Sequence, residues 1–408
     1  MVRKTIFLFI GLFLALCVLS YSVEVYAQPD GWSFIQLTNN GSTNTNPQIY
    51  GLNVVWKDSD GNDTEIFFYD GNTITQLTDN NYDDTGFHIY GSNVVWYGSD
   101  GNDTEIFFYD GNTITQLTDN NYTDTSPQIY GPNIVWYGSD GNDNEIFFYD
   151  GNTTTQLTNN SYNDTGPKIY GPNVVWYGSD GIDDEIFFYD GNTITQLTDN
   201  NYNDTGPQIY GSNVVWYGSD GNDDEIFFYD GNTVILLTDN DTNDAGPQIY
   251  GSNVVWYGFD GNDNEIFFYD GNTITQLTDN NDNDTSPQIY GSNVVWHGFI
   301  GNNLEVFFND GSTTTRLTYS NRYDFNPRIY GSNVVWVRLG GPSLEYETFF
   351  ALKCEPSPPA DLNGDCKINF GDFAILGDTW LLDYDFSDLA VIADDWLKCN
   401  YPIEAACW

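Results

Sequence analysis

Tryptophan returns at positions 56, 96, 136, 176, 216, 256, 296 and 336, a spacing of 40 residues held without drift. Such a period restricts the chain to architectures made from one repeated supersecondary unit, so the fold depends on what one unit is and how its copies meet. A representative copy reads PQIYGSNVVWYGSDGNDDEIFFYDGNTVILLTDN, from Pro207 to Asn240. Within it NVVWYG and EIFFYD are β-branched and aromatic runs too short for helices, and the turn-forming SDGND separates them. The YDGNT stretch then turns the chain into a segment of the TITQLT type, where threonines alternate with apolar residues as in a half-buried strand. With QIY in front, each unit predicts four strands, and nothing in the repeats has helical spacing.

Four antiparallel strands per repeat of this length point to a propeller blade, with an open solenoid as the alternative. The two ends of the repeat region decide between them. The chain enters the region on WSFIQLTNN (Trp32 to Asn40), which is the last piece of a unit with nothing before it. The final unit, Pro327 to Lys353, supplies RIY, NVVW and ETFFALK and then stops before its own QLT strand. If residues 32–38 become the outer strand of the eighth blade, the ring is shut and no raw edge is left. An open solenoid would gain nothing from that split and would need distinct caps instead. The prediction is therefore an all-β, eight-bladed β-propeller of four-stranded blades closed by an N-terminal strand, with the repeated Trp and Phe residues packed between sheets.

The pattern QLT…P.IYG..VVW…EIFFYDG resembles the TolB-type (WD40-like) β-propeller repeats of exported bacterial and archaeal proteins, over Trp32 to about Lys353. That resemblance implies the fold and leaves the function open, because such propellers serve as binding scaffolds, as domains attached to peptidases and as polysaccharide lyases.

Outside the repeats, Arg3 and Lys4 precede the apolar run TIFLFIGLFLALCVLS and the small-residue site VYA. These features read as a signal peptide over residues 1–27, cleaved after Ala27, and therefore as a secreted or cell-surface protein with no membrane insertion after cleavage. The alternatives are an uncleaved anchor, for which the run is short, and a lipoprotein box at Cys17, where bulky Leu16 is out of place. The formal charge of −48 would repel phosphate backbones and anionic headgroups, which argues against nucleic acid as a partner. Beyond the signal, Cys354, Cys366, Cys399 and Cys407 all lie near the C-terminus. Export makes two disulfides the expectation, in any of three connectivities.

A catalytic site breaks symmetry, whereas the carboxylates here are periodic: Glu65, Glu105, Glu145, Glu185, Glu225 and Glu265 each open a strand. A role shared by every blade reads as structural. His88 replaces a Gln and His297 a Tyr, and both read as drift. No metal-ligand set and no Ser-His-Asp arrangement emerges, so no catalytic residue is nominated. The DGND.E hairpin, for example Asp100, Asn102, Asp103 and Glu105, reads first as tight-turn chemistry, with calcium in the blade hairpins as the alternative. Asymmetry appears at Arg316, Arg322, Arg328 and Arg338, which make a candidate patch for an acidic ligand such as a uronate. Divergence of the closing units accounts for the same residues.

A proline-rich linker, residues 354–360, follows the propeller of residues 28–353 and leads to a small C-terminal domain, residues 361–408. There Asp361, Asn363, Asp365, Lys367, Asn369 and Asp372 occupy positions 1, 3, 5, 7, 9 and 12 of a twelve-residue calcium loop, Lys367 through its carbonyl. The apolar FAILGDTWLL after it has helical spacing. This tail resembles a type I dockerin of the kind found in planctomycete-type exported proteins, over Asp361 to Leu397. Phe386 to Leu397 echo Phe370 to Leu381 without a second set of loop ligands, so one calcium ion is expected. In that family the partner-reading pair falls at loop positions 10 and 11, here Phe370 and Gly371, with Phe386 and Ser387 in the second copy. The resemblance implies a cohesin-like or envelope protein as partner and, because dockerins deliver polysaccharide-degrading activities, a polysaccharide hydrolase or lyase as the alternative to a non-catalytic scaffold.

Overall fold

The computed structural model describes residues 31–42, 44–340 and 345–353, together with Pro29. The signal segment, the linker, the four C-terminal cysteines and the calcium loop lie outside the described residues. The described chain forms 32 strands, numbered β1 to β32 in chain order, in eight four-stranded sheets. Blade 1 is β2 (Thr45–Tyr50), β3 (Asn53–Ser59), β4 (Thr64–Tyr69) and β5 (Ile74–Gln76), joined as an antiparallel meander. Blades 2 to 7 repeat that order.

The repeat dictates each blade through its two faces. In β3, Val54, Val55 and Trp56 are all buried, because a sheet between two neighbours has no solvent face and alternation gives way to a continuous apolar run. Trp96 stacks on its cross-strand partner Phe107 at 5.9 Å and 15°, and the same pair recurs in the other blades, as in Trp216 on Phe227. Each core is shared between blades: Val55, Ile66 and Phe68 of blade 1 pack with Phe87, Ile89, Val94 and Trp96 of blade 2.

Two details differ from the sequence expectation. The inner strand is longer than QIY, running for example from Asp124 to Tyr130, because a bulge between Thr125 and Gln128 lets the chain resume pairing with Gly138 and Tyr137. Ser126 takes φ of 55° at that bulge, a left-handed conformation placed beside Pro127, where a ladder donor is dispensable. The outer strand is shorter than TITQLT and exposed along its length, as at Ile114–Gln116. Leu117 and Thr118 leave the strand to serve the junction with the next blade.

The ring is shut as the split repeat requires. Blade 8 comprises β30 (Asp324–Tyr330), β31 (Asn333–Leu339), β32 (Tyr346–Lys353) and, as its outer strand, β1 (Trp32–Gln36). The register runs from Trp32 opposite Lys353 to Gln36 opposite Phe349, and the Leu37 amide extends it to the Thr348 carbonyl at 2.9 Å. Trp32 is 5% exposed and packs edge-on against Phe308 of blade 7 at 5.0 Å, whereas Leu37 joins the core shared with blade 1. Truncating Trp32 to Ala is expected to destabilise the propeller by about 3–5 kcal/mol, the usual range for a buried aromatic. Removing residues 29–38 is expected to open β32 as an edge and drive self-association. Denaturant unfolding and light scattering check both, and a monomeric truncation of unchanged midpoint would contradict closure by β1.

Candidate functional site

The periodic carboxylates join one blade to the next. In blade 1, Thr78 donates its hydroxyl to Glu65 and the Asn80 amide donates to the same carboxylate at 2.9 Å. The Asn80 side chain then reaches Asp84 at 2.6 Å, and Asp84 accepts the indole N–H of Trp96, in blade 2, at 2.9 Å. The Asn120, Asp124 and Trp136 set repeats these bonds one blade later. Burial pushes the carboxyl groups of Glu105 and Asp124 above the ordinary range, and their hydrogen bonds oppose the shift.

One backbone position answers to these carboxylates. A Cβ at Gly138 would lie 1.9 Å from Asp124 Oδ1, so a side chain there forces the carboxylate out of its present position. Blade 8 puts Arg338 at the equivalent position, and it donates to Asp324 at 2.7 Å. At the closing junction the acid changes places: Asn44 stands where the other blades have Asp, and Asp58, where they have Gly or Arg, accepts from Asn40 and Ser42. Trp56 Nε1 is left without a partner among the described residues. Substituting Gly138 by Ala is expected to cost about 1–3 kcal/mol, the range for overpacking, read as a lowered denaturation midpoint.

In the hairpin between the two central strands, Asp100, Asp103 and Glu105 bring one carboxylate oxygen each within 4.8 Å of the others. The turn is held locally, since Asn102 N donates to Asp100 at 2.8 Å. Among the described residues Asp103 Oδ1 and Glu105 Oε2 are buried without a hydrogen-bond partner, although the nearby Thr118 hydroxyl holds the Glu105 carboxyl down in part.

The axis carries a second periodic set. Tyr50, Tyr90, Tyr130 and their equivalents touch neighbour to neighbour through all eight blades, with centroids 4.3–4.7 Å apart, and Tyr330 meets Tyr50 to complete the circle. Hydrogen bonds from neighbouring hydroxyls and burial hold Tyr90 un-ionised. Outside this circle Asn side chains reach a Gly carbonyl of the next blade, from Asn53 to Gly91 at 2.8 Å and from Asn333 to Gly51 at 3.1 Å.

Two residues before each tyrosine, on the same face of the inner strand, stand Gln48, Gln128, Gln208, Gln248 and Gln288 in five blades and His88, Lys168 and Arg328 in the other three. Blades 4 and 8, which carry Lys168 and Arg328, face each other across a ring of eight, and blade 2, which carries His88, lies a quarter turn from each. Lys168 and Arg328 act on His88, and Arg328 acts on Lys168. Burial and then Lys168 and Arg328 push the His88 pKa down to about 3, and burial and then Arg328 push Lys168 down to about 8. All three are half-buried yet strongly desolvated. No carboxylate figures among the groups that act on them.

The four arginines singled out from the sequence do not share one surface. Arg316 pairs with Glu305 at 2.9 Å and covers Tyr319 at 4.4 Å. Arg338 is buried on Asp324, Arg322 lies half-buried in the connection between blades 7 and 8, and Arg328 faces the axis. His297 sits near Arg328, its pKa lowered to about 4 mainly by burial, with Nε2 3.2 Å from the Thr285 hydroxyl. Sequence reasoning takes His88 as drift and Arg328 with the other arginines, and does not bring the axial trio together. Their common phase, in register with Gln48 in a period of 40, is the signal that could have found it.

Because Lys168 has a lower pKa folded than unfolded, the unfolded chain binds the extra proton between about pH 8 and the ordinary lysine value of ~10.4. Stability is therefore expected to rise with pH across that window. Lys168→Gln should flatten the rise, as measured by denaturation midpoints of both proteins at pH 8 and pH 10.

The sequence matches no family profile and no curated protein. Among solved structures, the β-propeller domain of the trilobed protease from Pyrococcus furiosus aligns at 14% identity and TM-score 0.51, over 69% of this chain and 99% of that one. The computationally designed Ika8 protein aligns at 18% identity and TM-score 0.54, over 79% and 100%. A TolB from Agrobacterium tumefaciens aligns at 16% identity over 50% and 84%, with a TM-score of 0.36 that bears no argument. The first two likenesses establish the propeller fold alone. The Pyrococcus domain is described as having an open velcro topology, whereas β1 hydrogen-bonds this ring shut.

Proposed function

We propose that the protein is a secreted or cell-surface, non-catalytic binding scaffold of TolB-like type, in which the propeller is a rigid display surface and a dockerin-like tail docks it to a larger assembly. The observation that carries this reading is the engagement of the repeated acids. Glu105 and Asp124 are bonded into a blade junction, so these repeated carboxylates serve to hold the ring together rather than standing as a free acid and base pair. The tail reading rests on sequence: the Asp361 to Asp372 loop offers the oxygen set of a calcium site, and Phe370, Gly371, Phe386 and Ser387 stand where a partner would be read.

Calcium chelation is expected to lower the melting temperature of the tail and leave the propeller transition in place. A tail that melts alike with and without chelator would refute the loop as a metal site, and a shifted propeller transition would assign further ions to the hairpin carboxylates around Asp103 and Glu105. Capture of one envelope protein by the whole chain, dependent on calcium, tests the docking role.

One observation favours the second reading, a component or enzyme of polysaccharide degradation: His88, Lys168 and Arg328 break the symmetry on the axis, where a single substrate would sit. A reducing-end assay on acidic polysaccharides decides this, since turnover abolished by Lys168→Gln would replace the scaffold reading with a catalytic one.

A further inference from the structure

We propose that the axis of the propeller is an oxyanion-binding site, in which Lys168 and Arg328 grip a carboxylate or phosphate group from opposite sides and neutral His88 and the neighbouring glutamines supply hydrogen bonds. Five blades place Gln at this position, and the other three all carry a base, His88, Lys168 and Arg328. Closure of the tyrosine circle from Tyr330 to Tyr50 forces these bases to face one another across a confined space.

They have few other uses. The Lys168 ammonium has no ion pair or hydrogen bond among the described residues. Among the described residues Arg328 donates only to the carbonyl of its own neighbour Pro327, at 3.0 Å, whereas Arg316 and Arg338 reach carboxylates. Two cations held together without a counterion cost free energy that a bound anion would recover, because a charge is strongly destabilised in an enclosed site unless it is paired. The tyrosine hydroxyls and Gln side chains beside them are the neutral donors that hold an oxyanion or an acidic sugar in place.

The discriminating variants come from the protein itself. Lys168→Gln and Arg328→Gln install the residue that five blades already carry, so the ring is expected to keep its fold, as checked by circular dichroism. Full-length protein is titrated calorimetrically with inorganic phosphate, with galacturonic acid and with neutral galactose. The expected result is binding of at least one anion, weakened tenfold or more in the double variant, with galactose inert. Galacturonate alone would identify an acidic sugar as the source of the anion, and phosphate alone a phosphorylated one. The proposal is overturned if neither anion binds at millimolar concentration, if galactose binds as well as galacturonate, or if the correctly folded double variant binds as tightly as the parent. None of these outcomes touches the tail, so failure here is distinguishable from failure of the docking role.

Discussion

A single blade of this protein cannot bury its own tryptophan. Each sheet presents two apolar faces, and both are covered only when a neighbour stands on either side, as Trp96 of blade 2 is covered by Val55 and Ile66 of blade 1. For a row of such units, stability is a sum of neighbour contacts with a penalty at each end. Bending the row into a ring removes the ends, but only if the first and last blades are fastened. The chain meets that constraint by giving its first strand to its last blade, so that Trp32 fills the seam with blade 7 and Leu37 the seam with blade 1. Neither terminal blade can then peel away without breaking a continuous sheet.

The polar residues obey the same logic. Burying an acid in every junction is tolerable because each one accepts an indole or amide hydrogen, and an unmatched acid would be costly. The chain shows this by covariation within itself. Where Asp is present at the junction, the facing residue is Gly, or Arg338 in direct contact with Asp324; where Asn44 replaces it, the facing residue becomes Asp58. The requirement is for one buried aspartate beside the glutamate of each junction, whichever strand supplies it. The closing junction meets it less completely, since Trp56 Nε1 lacks the acceptor its equivalents have. That is consistent with a seam whose holding power comes from the β1 ladder and the packing of Trp32.

The fold was largely legible in the sequence because its determinants are local and repeated eight times. Strand order, blade number and the donated strand all follow from period, alternation and the missing QLT segment. What was not legible depends on proximity between distant residues. The bulge at Ser126 and Pro127 extends the inner strand so that Asp124 reaches Trp136, and nothing in QIY announces that extension. Arg316, Arg322, Arg328 and Arg338 are close in sequence, yet the structure sends them to a partner in blade 7, a connecting loop, the axis and a buried carboxylate. Nearness along a chain of antiparallel strands says little about which face a side chain takes, whereas phase within the repeat says a great deal.

Phase also explains why the axis is the place where a symmetric scaffold can acquire an individual function. On the rim, a substitution in one blade changes one patch out of eight, and its neighbours are too far away to cooperate with it. At the axis, equivalent positions of all blades converge, so one change is felt by the other seven and two changes four blades apart face each other directly. Lys168 and Arg328 are such a pair, and the pKa values of Lys168 and His88 are depressed first by burial and then by the positive charge that faces them. The closure supplied by β1 is what holds that pair in place: an open row of the same eight blades would let the two charges move apart, and the axial site would cease to exist.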